Sequence, residues 1–159
     1  MLHNDGGLLL LLEQFLKEHQ ALQSEMEMID DCLTDLERSV RISFEDMKGL
    51  VLLVKHFYEQ LEAHLLSEEK GLFPLLLNET EEHGYLYFTF DLEHKQIKQY
   101  IKQFLFMAER YQERTVEIKK DNVLISLRFA LEAVTAHFIR EEENLFPEIL
   151  TCTKNWYNK

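Results

Sequence analysis

Two His-x-x-x-Glu pairs, His64/Glu68 and His137/Glu141, lie 73 residues apart in this 159-residue chain. Each opens the same phrase, for Leu72-Phe73-Pro74 and Leu145-Phe146-Pro147 follow at identical spacing and hold both prolines of the sequence. His and Glu at i and i+4 share one helix face, so each pair offers a nitrogen and a carboxylate to the same point in space. Two such pairs facing each other could hold metal. Upstream of each phrase stands a Glu-His dipeptide, Glu18-His19 and Glu93-His94. The chain therefore reads as two similar halves, each with one single His and one His-x-x-x-Glu. The repeat is too long and too few in number for a solenoid and suggests two helical hairpins related by a pseudo-twofold.

The elements that must position these residues are helices. With only two Pro and five Gly, and many Glu, Lys and Leu, the composition favours helix over sheet. The spacing of Leu12, Phe15, Leu22, Met26, Ile29, Leu33 and Leu36 predicts a first helix from after Gly7 to about Arg38. Ser43-Phe-Glu-Asp46 resembles a capping box and starts a second, which ends before Pro74. The polar stretch Asn78–Gly84 makes the next turn. A third helix carries Tyr87, Phe90, Ile97, Ile101, Phe104, Ala108 and Tyr111. Lys119–Asn122 marks the last connection. A fourth helix carries Leu127, Ala130, Val134 and Leu145 and is expected to stop at Pro147, leaving 151–159 as a loosely packed polar tail. Four long helices with short connections give an all-α, up-down-up-down four-helix bundle in a single domain over 1–159, its core about 8–150.

On those helices the chemistry-bearing residues fall on the apolar seams. His19 follows Phe15 and precedes Leu22; His64 and Glu68 lie between Leu61 and Leu72; His94 follows Phe90; His137 and Glu141 lie between Val134 and Leu145. Turn midpoints place the four histidines near one cross-section of the bundle, within several Å at about 1.5 Å rise per residue. A buried polar group is costly without a partner, and a carboxylate more so. Four histidines and two glutamates in the core need a common explanation, and a bound metal supplies one. The bland alternative is a His/Glu hydrogen-bond network in a plain bundle. With seven His and 22 Glu, about one bare His-x-x-x-Glu match arises by chance, so the weight rests on the repeated phrase and the shared seams.

The net charge of -12 argues against nucleic acid and anionic membrane as partners, since both require basic patches. The run Leu8–Leu12 is too short for a secretory h-region or a membrane span. Cys32 and Cys152 form no C-x-x-C and read as free thiols of a reducing, cytoplasmic setting.

Four imidazoles and two carboxylates give two metals two nitrogen and two oxygen donors each if both carboxylates bridge. That set suits iron or manganese better than structural zinc. A ferritin-type site needs Glu-x-x-His, and no Glu here has a His three residues on. The pattern EH…HxxxE…LFP, twice, resembles the hemerythrin-like family, also called the HHE cation-binding domain, over nearly the whole chain. The resemblance implies a four-helix bundle around a non-haem di-iron centre that meets oxygen or nitric oxide. It implies His19, His64, His94 and His137 as terminal ligands, Glu68 and Glu141 as bridging carboxylates, and two iron ions joined by an oxide or hydroxide. Hemerythrin proper has His-x-x-x-His on its third helix, whereas Lys98 stands at that spacing after His94. One imidazole fewer implies a more open centre than an oxygen carrier's, closer to bacterial relatives that act as redox sensors or in nitric-oxide-responsive iron–sulfur repair. The expected function is binding or reaction with a small molecule such as oxygen, nitric oxide or peroxide, in sensing, scavenging or iron supply. Iron–sulfur cluster repair and a metal-stabilised interaction module are the alternatives.

The remaining candidates are read as peripheral. His56 lies two turns from His64, about 12 Å along the axis, too far to share an ion. His83 is expected in a solvated turn, reaching the bundle end as a fifth ligand only if that turn folds inward, and His3 at a loose terminus. Glu69 and Glu142 are expected to be exposed partners of nearby Lys or Arg, with ligation at i+5 as the alternative. Tyr58, Tyr85 and Tyr87 are expected to serve packing.

Overall fold

The computed structural model describes residues 5–77, 80–114 and 117–157, with side chains from 6 to 151 within those ranges. His3, Asn78 and the side chains of Cys152, Trp156 and Tyr157 lie outside the described residues. Helix α1 spans Asp5–Arg38, α2 Phe44–Gly71, α3 Glu81–Glu113, α4 Lys120–Arg140 and α5 Phe146–Tyr157. No strand occurs among the described residues. The first four helices close a bundle in which each packs on its sequence neighbour and α4 returns to α1. The chain is an all-α four-helix bundle.

Local chemistry explains the boundaries. The Ser43 hydroxyl accepts the N–H of Asp46 at 3.1 Å and starts α2. The Thr80 hydroxyl accepts the N–H of His83 and starts α3, with Glu81 and Glu82 in its first turn opposite the helix dipole. Along α1, α3 and α4 the residues named from spacing are buried, except that Tyr87 and Tyr111 are half-buried. Two layers of apolar packing flank the polar level. The larger runs from Leu22 and Leu61 toward Leu36 and Met47. The smaller gathers Leu12, Phe15, Phe73, Phe90, Leu145 and Phe146 at the other end.

The two Phe-Pro phrases fold differently, and this corrects the expected end of the fourth helix. Before Pro74, α2 stops at Gly71 and the chain turns through a short 3-10 segment, Phe73–Leu76. Before Pro147 the helix instead widens into a π turn over Glu141–Leu145, with the N–H of Phe146 donating to Glu141 O five residues back. Pro147 then sits in the first turn of α5, where its missing N–H costs least, and the backbone continues helically to Tyr157. Residues 151–157 thus continue a helix rather than forming a loose tail. The combined run Lys120–Thr151 is long and apolar enough by composition to cross a membrane. It also carries the buried His137 and Glu141 inside the bundle, as a core helix does.

The expected turn over 78–84 is shorter than the polar composition suggested. His83 and Gly84 belong to the first turn of α3. His83 is buried, not solvated, and its Nε2 lies 2.9 Å from Glu148 on α5. Tyr85 is 71% exposed and does not pack in the core, whereas Tyr87 meets the edge of Phe73 and Tyr58 lies against the main core.

Candidate metal centre

The four bundle helices bring His19, His64, Glu68, His94, His137 and Glu141 together at one level, each no more than 3% exposed. The His19 and His64 rings are 4.7 Å apart between centroids, as are those of His94 and His137. Two ligand groups result. One holds His19, His64, Glu68 and Glu141; the other holds Glu68, His94, His137 and Glu141. In each, the donor atoms lie within 4.8 Å of one another, and the two carboxylates belong to both groups. Glu68 Oε1 lies 2.8 Å from His64 Nε2, and Glu141 Oε1 touches His137 Nε2. His19 Nε2 and His94 Nε2 stand 3.9 Å from the nearest oxygens of Glu141 and Glu68, respectively.

None of these inward contacts has hydrogen-bond alignment. All four Nε2 atoms and all four carboxylate oxygens are buried without a hydrogen-bond partner. Orphaned buried polar groups are rare and each costs on the order of 1–3 kcal/mol. Eight converging on one space is the signature of donors arranged for a cation, and the mixed nitrogen and oxygen set fits iron.

The outer nitrogens are all engaged. His64 Nδ1 lies 3.1 Å from Glu18, His94 Nδ1 3.0 Å from Glu69, His137 Nδ1 2.6 Å from Glu93 and His19 Nδ1 2.9 Å from Glu142. The four bonds run round the bundle. Glu18 on α1 holds a His of α2, Glu69 on α2 one of α3, Glu93 on α3 one of α4, and Glu142 in the π turn one of α1. With Nδ1–H donated outward, the lone pair of each Nε2 faces inward, the tautomer a metal requires. Glu69 and Glu142 are therefore not simply surface partners of Lys or Arg, although Lys98 does approach Glu69 at 3.9 Å. Their carboxylates meet the Nδ1 side of His94 and His19 and belong to neither ligand group, so ligation at i+5 is not what the geometry supports. Glu18 and Glu93 were visible in the repeated Glu-His dipeptide, but the dipeptide alone does not reveal that each Glu serves the next helix's His.

Aromatic rings line the level. Phe138 stacks on His19 with centroids 4.0 Å apart, Phe15 meets His64 edge-on, and Phe73 tilts against His94 at 4.9 Å. Phe138 carries no spacing signal of its own beyond its place beside His137. His56 is 65% exposed and contacts Glu25 and Gln60, away from the centre.

The proton equilibria follow the surroundings. Burial, then the neighbouring His64 and His137, hold the His19 pKa down to about 3. Burial, then His137, His64 and Lys98, take His94 to about 2. Burial disfavours charge on His64 as well, but Glu68 and Glu18 outweigh it and raise its pKa. Burial pushes the Glu93 carboxyl up, yet His137 and Arg140 beside it bring it below the ordinary value. Burial and the adjacent Glu143 raise Glu142.

This is a bundle with a buried histidine–carboxylate centre, the kind of architecture that holds metal ions between helices. The family model of the hemerythrin HHE cation binding domain matches residues 10–149, and the chain belongs to that family. No curated protein and no solved structure matches the chain.

Proposed function

We propose that this protein is a non-haem di-iron protein that binds or reacts with a small molecule such as oxygen, nitric oxide or peroxide. One observation carries the reading: two four-donor groups share Glu68 and Glu141 as common members, with eight donor atoms buried and unsatisfied. His19 and His64 would hold one iron, His94 and His137 the other, and the two carboxylates would bridge. Iron held there supplies ferrous–ferric redox chemistry and an open position for a small ligand. The chain's own residues do the rest. The outer glutamates orient the imidazoles, and Phe15, Phe73 and Phe138 exclude water and lower the local dielectric. Lys98, where a further imidazole would otherwise stand, pairs with Glu69 at 3.9 Å and leaves the inner space to the six residues. The free thiol of Cys32 suits a reducing, cytoplasmic setting.

The test is anaerobic addition of nitric oxide to the reduced, iron-loaded protein. An iron-nitrosyl spectrum that is lost in His64→Ala is the expected result. Two irons per chain with no spectral response would contradict the gas-binding reading and favour a metal-stabilised interaction module.

A further inference from the structure

The pseudo-twofold that matches the six inner residues breaks in the charges just outside them. Lys98 follows His94 by four, and the matching residue after His19 is Gln23. Arg140 follows His137 by three, and the matching residue after His64 is Ser67. Both cations act on the outer carboxylates of one half. Lys98 Nζ lies 3.9 Å from Glu69, which holds His94, and Arg140 Nε lies 2.6 Å from Glu93, which holds His137. In the other half, Glu18 and Glu142 bond only to His64 and His19 and meet no Lys or Arg within ion-pair distance among the described residues. Lys70 follows Glu69, whereas Glu143 follows Glu142.

A carboxylate bonded to a ligand imidazole passes negative charge toward the metal, and a cation on that carboxylate takes part of it back. From this broken symmetry we infer that the two metal positions are inequivalent despite identical inner ligands: the His19/His64 position binds cations more tightly, and the His94/His137 position is the weaker, more readily emptied one. The inference rests on the two-metal reading above. Its consequence for a small-molecule site is a division of labour, with one position retained and the other exchangeable. The cations and carboxylates are partly solvated, so screening limits the difference to about tenfold in affinity.

The test is calorimetric titration of the metal-free full chain with ferrous ion under anaerobic conditions. Two steps are expected. In Lys98→Gln/Arg140→Gln the second step should tighten about tenfold while the first stays put. In Gln23→Lys/Ser67→Arg, which copies the cations into the other half, the first step should weaken by a similar factor. Mutual repulsion between two ions also produces two steps, but those steps would ignore both double variants; that result, or equal shifts of both steps, would overturn the inference. Binding of one ferrous ion or none by the unsubstituted chain would instead overturn the two-metal reading beneath it.

Discussion

Glu142 Oε1 lies 2.9 Å from Nδ1 of His19, joining the start of the π turn to the middle of α1 across 123 residues. The bond closes the ring of carboxylates round the bundle and fixes the tautomer of a ring whose Nδ1 has no other partner among the described residues. Losing such a partner typically weakens metal binding about 10–100-fold. Glu142→Ala should do so in a metal-competition assay, and Glu142→Gln, which keeps an acceptor oxygen, should lose less. Equal affinity in all three proteins would mean that the ring is incidental.

The centre should cost the metal-free protein stability. His137 and Glu141 are fully buried, and His137 Nε2 and both Glu141 oxygens have no hydrogen-bond partner. Replacing a buried polar pair by apolar residues of similar volume is often stabilising, by about 1–4 kcal/mol. His137→Leu/Glu141→Leu should therefore raise the denaturant midpoint of the metal-free protein while abolishing metal uptake. A lower midpoint would show that the six residues are satisfied without metal.

Acid should destabilise the metal-free bundle before any ordinary carboxylate titrates. His19 and His94 have folded pKa values of about 3 and about 2, far below their ordinary 6.5. The unfolded chain therefore takes up protons at these positions that the folded chain refuses, and stability falls as pH drops below 6.5. His64, with a raised pKa, acts in the opposite sense: its contribution is full below 6.5 and fades as pH rises through its folded value. Between pH 6.5 and 5.5 the His64 contribution is nearly constant, so His19 and His94 together set a loss of about 2 kcal/mol. Chemical unfolding at pH 7.5, 6.5 and 5.5 checks this, and a flat or rising profile would contradict it.

Much of this was legible in the sequence because it rests on period. Histidines at apolar positions of four helices, and turns midway between them, were enough to bring six residues to one level. What was hidden depends on details that spacing does not encode. Pro147 looks like a helix stop, as Pro74 is, but a π turn carries the helix past it. His83 looks solvated within a polar run, but the Thr80 cap draws it into α3 and against Glu148. Glu69 and Glu142 read as surface charges because their partners come from other helices. The family match agrees with the resemblance carried by the repeated phrases.

Phe138 also breaks the repeat, since the matching residue after His64 is Leu65. Both are fully buried, but Phe138 stacks on His19 with centroids 4.0 Å apart, and Phe146 stacks on the same ring at 5.8 Å. Phe138→Ala should cost about 3–5 kcal/mol through the void it leaves. Phe138→Leu should cost less and loosen the orientation of His19, seen as weaker metal retention. Unchanged thermal stability in Phe138→Ala would show that the ring does not support this level of the core.

The most direct measurement is metal content per chain after anaerobic reconstitution with iron, followed by air and a near-ultraviolet spectrum. Two irons per chain with an oxo-bridge charge-transfer band are expected, and loss of both in Glu68→Ala/Glu141→Ala. Stoichiometric iron in that double variant, or no iron in the unsubstituted protein, would contradict it.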